Sequence, residues 1–157
     1  RRVSNVGKYN FYSFEGIRKH NNDQLHVTSM NYDEPKLIKM LEKSKETISI
    51  HGSSGDDPIV YIGGKDTKMS KSIAKALRKK DFTVKESPKE LNAQSDDNFV
   101  NKNDTDSGVQ LELTTAQREE FFKHHKLDST TRGNPKKYTK DFYKFANAVE
   151  KGIKRAK

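Results

Sequence analysis

The sequence contains no cysteine, which excludes disulfide bonds, thiolate metal ligands and a cysteine nucleophile. Any metal site would therefore use histidine and carboxylate side chains. No run of residues approaches the ~20 apolar residues of a membrane-spanning helix, and the first residues contain no apolar stretch typical of a secretory leader. These absences predict a soluble chain whose chemistry depends on its five histidines and its acidic residues.

Hydrophobic residues are also scarce, at 31% of the chain against 34% charged residues. Part of the chain should therefore be solvated loop or exposed helix instead of packed interior. A length of 157 residues is still sufficient for one domain with a hydrophobic core, to which eight Phe and six Tyr would contribute in the absence of Trp. We predict a single domain over residues 1–157.

The net charge of +9 is concentrated near the C-terminus. Residues 134–157 hold eight Lys or Arg and two acidic residues, a net +6, which leaves only +3 for the rest of the chain. We predict a basic C-terminal helix over residues 134–157. Such a helix attracts any polyanion, including DNA, anionic lipid or an acidic polymer, but it is also typical of a plain solvated surface.

The hydrophobic pattern alternates between short strands and helices. Strands are predicted at residues 10–14, 25–29, 47–51, 59–62, 82–85 and 109–113. Four helices are predicted. The first follows Pro35, the second begins at a cap at Ser70, the third begins at a cap at Thr114 or Thr115 and includes Phe121 and Phe122, and the fourth is the C-terminal helix. This alternation favours a layered α/β fold with a mainly parallel sheet.

One predicted strand ends at His51 and runs into a turn rich in Gly, Ser and Asp. Ligands of open α/β sheets bind at such strand ends, beside mobile loops. The imidazole is thus a candidate ligand or catalytic group. The alternative is a hydrogen-bonded structural histidine, which is common at this kind of position.

Glu112 lies in the strand predicted at residues 109–113, where apolar and polar residues alternate. An ionised carboxylate in a core costs several kcal/mol, so Glu112 should face solvent, a partner or a site. It is either an ordinary outward residue or a general base whose pKa is raised by a partly desolvated cleft.

Five motifs, in order along the chain, resemble those of the poly-gamma-glutamate hydrolase family of bacteria and their phages. They lie at residues 12–16, at residues 25–29 with 32–35, and at residues 48–52, 63–66 and 108–113. The resemblance covers residues 9–122, and five ordered motifs are far more specific than any one of them.

The resemblance implies a zinc-carboxypeptidase-like fold, with three α/β/α layers and a mainly parallel mixed sheet. It assigns His51 as the last zinc ligand and Glu112 as the carboxylate that activates the zinc-bound water. Asn101 and Lys102 occupy the place of an Asn-Arg pair that binds substrate. Because Lys102 replaces the usual Arg, a bidentate contact with a carboxylate would become a single point charge.

Family members also carry a His-Gly-Gly-Gly-Ile-Glu type segment that supplies the first two zinc ligands, and this sequence has none. We therefore expect the first strand and helix of the fold to be missing and a full zinc site to need ligands from outside this chain. The implied activity is zinc-dependent hydrolysis of gamma-glutamyl amide bonds in poly-gamma-glutamate, an extracellular capsule polymer. The sequence is then either a fragment without its first strand and helix or a natural short form that lacks the metal site and is inactive.

Two other residues are weaker candidates for the site. His26 lies in a family-like segment and is expected beside the ligands or in a structural role, and Asp56 follows His51 closely enough to bind a cation. The expected partner is the anionic polymer. A different class of function, a nucleic-acid-binding phage or replication accessory protein that uses the basic C-terminal helix, stays as the alternative, and a catalytically inactive polymer-binding protein is a third.

Overall fold

The computed structural model describes residues 1–18 and 20–157. The strands are β1 (Ile48–Gly52), β2 (Ile59–Gly63), β3 (Thr83–Glu86) and β4 (Val109–Leu113). The helices are α1 (Arg2–Gly7), α2 (Pro35–Leu41), α3 (Thr67–Arg78), α4 (Thr115–Glu119), α5 (Ser129–Arg132) and α6 (Lys140–Ala156). Single 3-10 turns lie at Asn22–Leu25, Lys89–Leu91, Phe99–Asn101, Lys123–His125 and Pro135–Lys137. No helix in this part of the chain is both long and apolar enough to cross a membrane.

The four strands form one mixed sheet in the order β1-β4-β2-β3. β1 and β4 are parallel, β2 and β3 are parallel, and the two pairs meet through an antiparallel contact between β2 and β4. Two of the three pairings are therefore parallel. This confirms the predicted α/β class with a mainly parallel mixed sheet.

The two faces of the sheet differ in chemistry because side chains alternate along each strand. On the apolar face, β2 and β4 contribute Val60, Ile62, Val109, Leu111 and Leu113, which belong to the hydrophobic core that includes α3 and α6. The register places a second set of residues together on the opposite, polar face. These residues are Ser49, His51, Tyr61, Gln110 and Glu112.

Helices α3 and α6 pack closely against each other on the apolar face. Gly152 of α6 makes this possible, since a Cβ atom at this position would lie 2.5 Å from the Cα atom of Ile73 in α3. The hydroxyl of Ser72 donates a hydrogen bond to the Gly152 carbonyl at 2.7 Å. Ile73, Val149 and Ile153 are almost completely buried at this contact.

The helix starts show one correct prediction and one error. Thr114 caps α4, as predicted, by accepting a hydrogen bond from the Gln117 amide at 3.1 Å. Ser70 does not cap α3, because Asp66 accepts a hydrogen bond from the Met69 amide and starts the helix one turn earlier. A carboxylate at the cap also interacts favourably with the helix dipole.

α4 is shorter than predicted. It ends at Glu119, so Phe121 and Phe122 follow the helix instead of lying within it. Both rings still contact the aromatic residues of the C-terminal helix, where Phe142 lies 6.1 Å from Phe121 and 6.4 Å from Phe122 between ring centroids. The aromatic stripe predicted along the C-terminal helix is thus part of the core, although α6 itself begins only at Lys140.

The strands predicted at residues 10–14 and 25–29 are wrong. Residues 10–14 have no regular secondary structure, and Leu25 ends a 3-10 turn. Phe11, Phe14 and Val27 are 45%, 57% and 47% exposed, so neither segment has a face buried on the core. A strand needs a neighbouring strand for its backbone hydrogen bonds, and an alternating pattern by itself does not supply one.

We predict that Gly152→Ala will destabilise the protein. Alanine normally favours a helix by about 1 kcal/mol over glycine, but here its methyl group must displace the backbone of α3, which costs about 1–3 kcal/mol when a tight core is overpacked. Urea denaturation would measure the free energy of unfolding. The exposed Asn147→Ala substitution on the same helix is the control, and equal stability of the two variants would contradict the proposed close contact.

Candidate active site

His51 and Glu112 are direct register partners on the parallel strands β1 and β4. Neighbouring strands lie roughly 5 Å apart, and register partners project to the same face, so the two side chains are neighbours on the polar face. Each is the second-last residue of its strand. The pair therefore lies at the carboxyl end of two parallel strands, where ligands of α/β sheets bind.

The His51 ring stacks on Phe99, with ring centroids 6.0 Å apart and an interplanar angle of 30°. Burial lowers the pKa of His51 below its usual 6.5, and the nearby charge of His26 lowers it further. The imidazole is therefore neutral at pH 7. A neutral imidazole can accept a hydrogen bond or bind a metal ion through a ring nitrogen.

The Glu112 carboxyl group is buried, with 5% of the residue exposed. Burial raises its pKa to about 7, while a hydrogen bond from Gln110 and the positive charge of Arg118 act in the opposite direction. Gln110 Nε2 donates to Glu112 Oε1 at 3.0 Å. Glu112 is thus not an outward residue on a half-exposed strand, and its carboxyl group can exchange a proton near neutral pH.

Gln110 holds Glu112 in place and was not recognised from the sequence. Its Nε2 atom also donates to the Leu91 carbonyl at 3.3 Å, and its Oε1 atom accepts from Asn98 Nδ2 at 3.3 Å. The amide thereby connects Glu112 to the loop that covers the polar face. The sequence does contain a signal for Gln110 as a partner of Glu112, since it stands two residues before Glu112 and the two side chains therefore lie on one face of the strand.

Arg118 of α4 is a second residue that sequence reasoning missed. Its Nε atom donates to the Leu113 carbonyl at 3.2 Å, and its Nη2 atom donates to the Ser53 carbonyl at 3.0 Å. A Cβ atom at Gly52 would lie 2.9 Å from its Cζ atom. Arg118 therefore connects the ends of β1 and β4 by hydrogen bonds and places a positive charge near Glu112. In the sequence it resembles any surface cation on a short helix, so no local signal distinguishes it.

An aromatic cluster extends the site beyond His51. Tyr32 contacts Phe99 with ring centroids 5.7 Å apart and Phe14 with centroids 5.8 Å apart. The Tyr12 and Tyr32 hydroxyl groups form a 2.6 Å hydrogen bond, and burial together with this bond raises the pKa of Tyr12 well above its usual value. Two family-like motifs that do not form strands thus lie beside the candidate site.

The Asn101 side chain makes its hydrogen bonds within its own loop. Its Nδ2 atom donates to the Ala93 and Ser95 carbonyls, both at 2.9 Å, and its Oδ1 atom accepts from the Gly108 amide at 3.0 Å. The buried side-chain amide thus holds the loop together and has no donor free for a substrate. Lys102 is half-buried, and its ammonium group pairs with none of the acids in the described ranges.

Of the weaker candidates, His26 lies near enough to His51 to affect its pKa, whereas Asp56 is exposed in the loop that follows β1. Across residues 1–18 and 20–157, no three His, Cys, Asp or Glu side chains are grouped so that they could hold a metal ion. Ser49 Oγ is buried on the polar face without a hydrogen-bond partner in the same residues. Within the described residues, not every buried polar atom on the polar face therefore has a hydrogen-bond partner.

The mixed sheet with its helix layer is that of an α/β protein with a zinc-carboxypeptidase-like fold. The model of the poly-gamma-glutamate hydrolase family matches residues 1–148. The chain belongs to this family, which confirms the resemblance carried by the five sequence motifs.

Two solved structures are similar over 98% of this chain. One is a bacteriophage poly-gamma-glutamate hydrolase, with a TM-score of 0.93, 32% sequence identity and 73% of its own chain covered. The other is zinc-free YndL, with a TM-score of 0.86, 27% identity and 75% of its own chain covered. Both matches show that the fold is shared along nearly the whole length of this chain.

Curated relatives from Bacillus subtilis (strain 168) carry the description UPF0714. The protein YmaC is 33% identical over 150 residues, which cover 93% of this chain and 61% of YmaC. The SPbeta prophage-derived protein YoqZ is 36% identical over 116 residues, which cover 73% of this chain and 42% of YoqZ. The chain thus spans less than two thirds of the length of these relatives.

We predict that Glu112 makes the stability of the protein depend on pH. Its pKa rises from 4.5 to about 7 on folding, so the folded protein binds this proton more tightly than the unfolded chain. The resulting stabilisation, about 3 kcal/mol, is fully present below pH 4.5 and is lost as the pH rises through 7. Urea denaturation at pH 5 and pH 8 should show this loss in the wild type and not in Glu112→Gln.

The matched control for this experiment is Glu86→Gln, which changes an exposed glutamate on β3. Its stability should follow the wild type between pH 5 and pH 8, because Glu86 is exposed and lies outside the candidate site. If Glu112→Gln also followed the wild type, Glu112 would not have a raised pKa.

Proposed function

We propose that this chain supplies the general base for hydrolysis of gamma-glutamyl amide bonds in poly-gamma-glutamate. The observation that carries the proposal is the position of Glu112, a buried carboxyl group that Gln110 holds beside His51 at the carboxyl end of two parallel strands. Membership of the poly-gamma-glutamate hydrolase family supports the choice of reaction. The enzyme class would be a metallo-amidohydrolase.

In this reaction a water molecule attacks the carbonyl carbon of the amide bond. The Glu112 carboxylate takes a proton from the water as the new C–O bond forms, and the protonated Glu112 then donates that proton to the nitrogen as the C–N bond breaks. The second proton of the water stays on the new carboxyl group and then passes to the amine, so the products are a carboxylate and an ammonium group, and Glu112 returns to its ionised form. The hydrogen bond from Gln110 holds the carboxyl group while the proton moves.

Zinc is the metal that the family resemblance implies, and the described residues do not fit a complete zinc site. A catalytic zinc ion needs three protein ligands, and no such group of three occurs in residues 1–18 and 20–157. His51 is a ligand of the right type, since its imidazole is neutral at pH 7. The proton transfers of the proposed reaction therefore involve only Glu112, the water and the amide nitrogen.

The proposed substrate is a polyanion that forms capsules, so the enzyme would act outside the cell that it attacks. Its many carboxylates match the excess of Lys and Arg in the chain. Lys102 stays a candidate for binding one of these carboxylates because the residue is half-buried and its ammonium group makes no ion pair in the described ranges. Asn101 is not proposed for this role.

We predict that Glu112→Gln will abolish polymer cleavage without weakening polymer binding. Glutamine keeps the shape and can accept the Gln110 hydrogen bond, but it cannot take a proton, and losing general-base catalysis costs typically 10²–10⁴-fold in rate. The complete gene product that contains these residues would be incubated with poly-gamma-glutamate, and the loss of polymer length would be followed by gel filtration.

The control for the cleavage experiment is Glu119→Gln, a half-exposed glutamate on α4 that should leave the rate unchanged. Polymer cleavage by Glu112→Gln at the wild-type rate would refute the proposed role of Glu112. Tight polymer binding without cleavage by the wild type would indicate a catalytically inactive polymer-binding protein instead.

We predict that the 157-residue chain alone binds zinc weakly, because a catalytic zinc ion needs three protein ligands and residues 1–18 and 20–157 contain no group of three. The zinc content after dialysis would be measured by mass spectrometry. A His51→Ala variant is the control and should retain a similar trace of zinc. One zinc ion per chain that is lost in His51→Ala would contradict the prediction and add His26 or Asp56 to the ligands.

A further inference from the structure

A basic groove of about 450 Å³ lies between α3 and α6 on the outer side of the helix layer. Its cationic lining consists of Lys79, Lys80, Lys140, Lys144, Lys151 and Arg155. No acidic side chain lines the groove among the described residues. Because α3 and α6 pack on the apolar face of the sheet, the sheet separates the groove from His51 and Glu112.

The groove forms because the two helices are close and their cations project to the same side. Ala76 and Ala148 line its floor, and these small side chains, like Gly152, allow the two helices to pack closely. On α6, the four cations at positions 140, 144, 151 and 155 recur at near-integral helical turns and extend over about 22 Å. The end of α3 and the segment after it contribute Lys79 and Lys80.

Most of this charge is not neutralised within the described chain. Lys144 pairs with Asp141 at 2.9 Å, and no ion pair involves the other five groove cations among these residues. Elsewhere on the same helix the lysines are paired, since Lys154 contacts Glu150 at 2.6 Å and Lys157 contacts Glu46 at 3.1 Å. Like charges that lie together repel one another, and an anionic ligand would relieve this repulsion.

We propose that the groove is a second binding site for an extended polycarboxylate chain, separate from the candidate active site. The proposal rests on the proposed function for the identity of the polymer, poly-gamma-glutamate. Bond lengths give an extended gamma-linked glutamate a repeat of about 6 Å, and one helical turn advances by about 5.4 Å. Carboxylates along the polymer can therefore meet Lys140 and Lys144 on neighbouring turns and, two turns further along α6, Lys151 and Arg155.

The groove fits a polycarboxylate better than a nucleic acid. The six cations, five of them lysines, bind carboxylates and phosphates alike, so the aromatic lining decides between the two polymers. Proteins that bind single-stranded nucleic acids stack successive bases on several aromatic rings. The groove has one aromatic residue, Tyr143, and the Arg2 guanidinium already lies 5.5 Å from the centre of its ring.

A second site would hold the long polymer on the protein between cleavage events. Binding at the groove raises the local concentration of polymer near the protein without changing the chemical step. Substitutions in the groove should therefore raise KM for long polymers and leave kcat unchanged.

The test compares two variants that each lose four positive charges from the net +9. The groove variant carries Lys79→Gln, Lys80→Gln, Lys140→Gln and Lys151→Gln. The control variant carries the same change at four exposed lysines outside the groove lining, Lys39, Lys43, Lys123 and Lys126. Both are made in the Glu112→Gln background to prevent cleavage, and thermal unfolding confirms that both are folded.

Binding of fluorescein-labelled poly-gamma-glutamate would be followed by fluorescence anisotropy at low salt, where exposed charges are least screened. We expect the groove variant to bind at least about tenfold more weakly than the control variant, given four lost contacts. Equal loss in the two variants would show that only net charge matters and would overturn the proposal. So would unchanged binding by the groove variant.

A competition experiment separates the two classes of polyanion. Unlabelled poly-gamma-glutamate should displace the labelled polymer at lower charge concentration than single-stranded or double-stranded DNA. Stronger competition by DNA that depends on the groove lysines would overturn the assignment in favour of nucleic acid. Binding is measured without turnover, so groove-dependent binding can be observed even if the protein does not cleave the polymer. The proposed groove and the proposed hydrolase activity can therefore fail separately.

Discussion

Strand β4 is buried on both sides, and the arrangement of the other elements depends on how its two sides are covered. Its Val109, Leu111 and Leu113 side chains pack into the core beneath α3 and α6. Gln110 and Glu112 project to the opposite face, where they are also buried. A buried carboxyl group costs free energy unless it is protonated or hydrogen-bonded, and Glu112 is stabilised by a raised pKa and by the Gln110 amide.

This double burial constrains the position of Glu112 in the candidate site. The apolar half of β4 is fixed by the close packing of α3 on α6, so the polar half cannot move without disturbing the core. The end of the strand is further tied to β1 through the hydrogen bonds of Arg118 to Leu113 and Ser53. A general base must be held in a defined orientation, and here the hydrophobic core provides much of that constraint.

The protein separates charge of different kinds on the two sides of the sheet. One side holds a small set of half-buried and buried titratable groups, His51 and Glu112 among them, whose pKa values are moved by desolvation. The other side carries exposed lysines along α3 and α6 that remain strongly hydrated. Exposed charges of this kind favour capture of a long polyanion, whereas desolvated groups favour proton transfer.

Local patterns predicted the elements that bury an apolar face of their own. Four correctly predicted elements combine an apolar pattern with a neighbouring element that covers it. They are the strand that ends at His51, the strands at residues 59–62 and 109–113, and the aromatic stripe of the C-terminal helix. The segments at residues 10–14 and 25–29 have a similar pattern but lie without a paired strand, and the pattern does not contain that information. Tyr12 and Phe14 of the first segment instead contact Tyr32 beside the site.

The sequence by itself determined the family and the class of fold, because ordered motifs and strand periodicity are local properties of the chain. It also predicted His51 and Glu112 as site residues, and the strand register makes them neighbours. Tertiary structure alone decided that Gln110 and Arg118 support Glu112, that the Asn101 amide is used within its loop, and that lysines from α3 and α6 form one groove. These facts depend on strand register and helix packing between residues far apart in the sequence, and no local pattern encodes such distances.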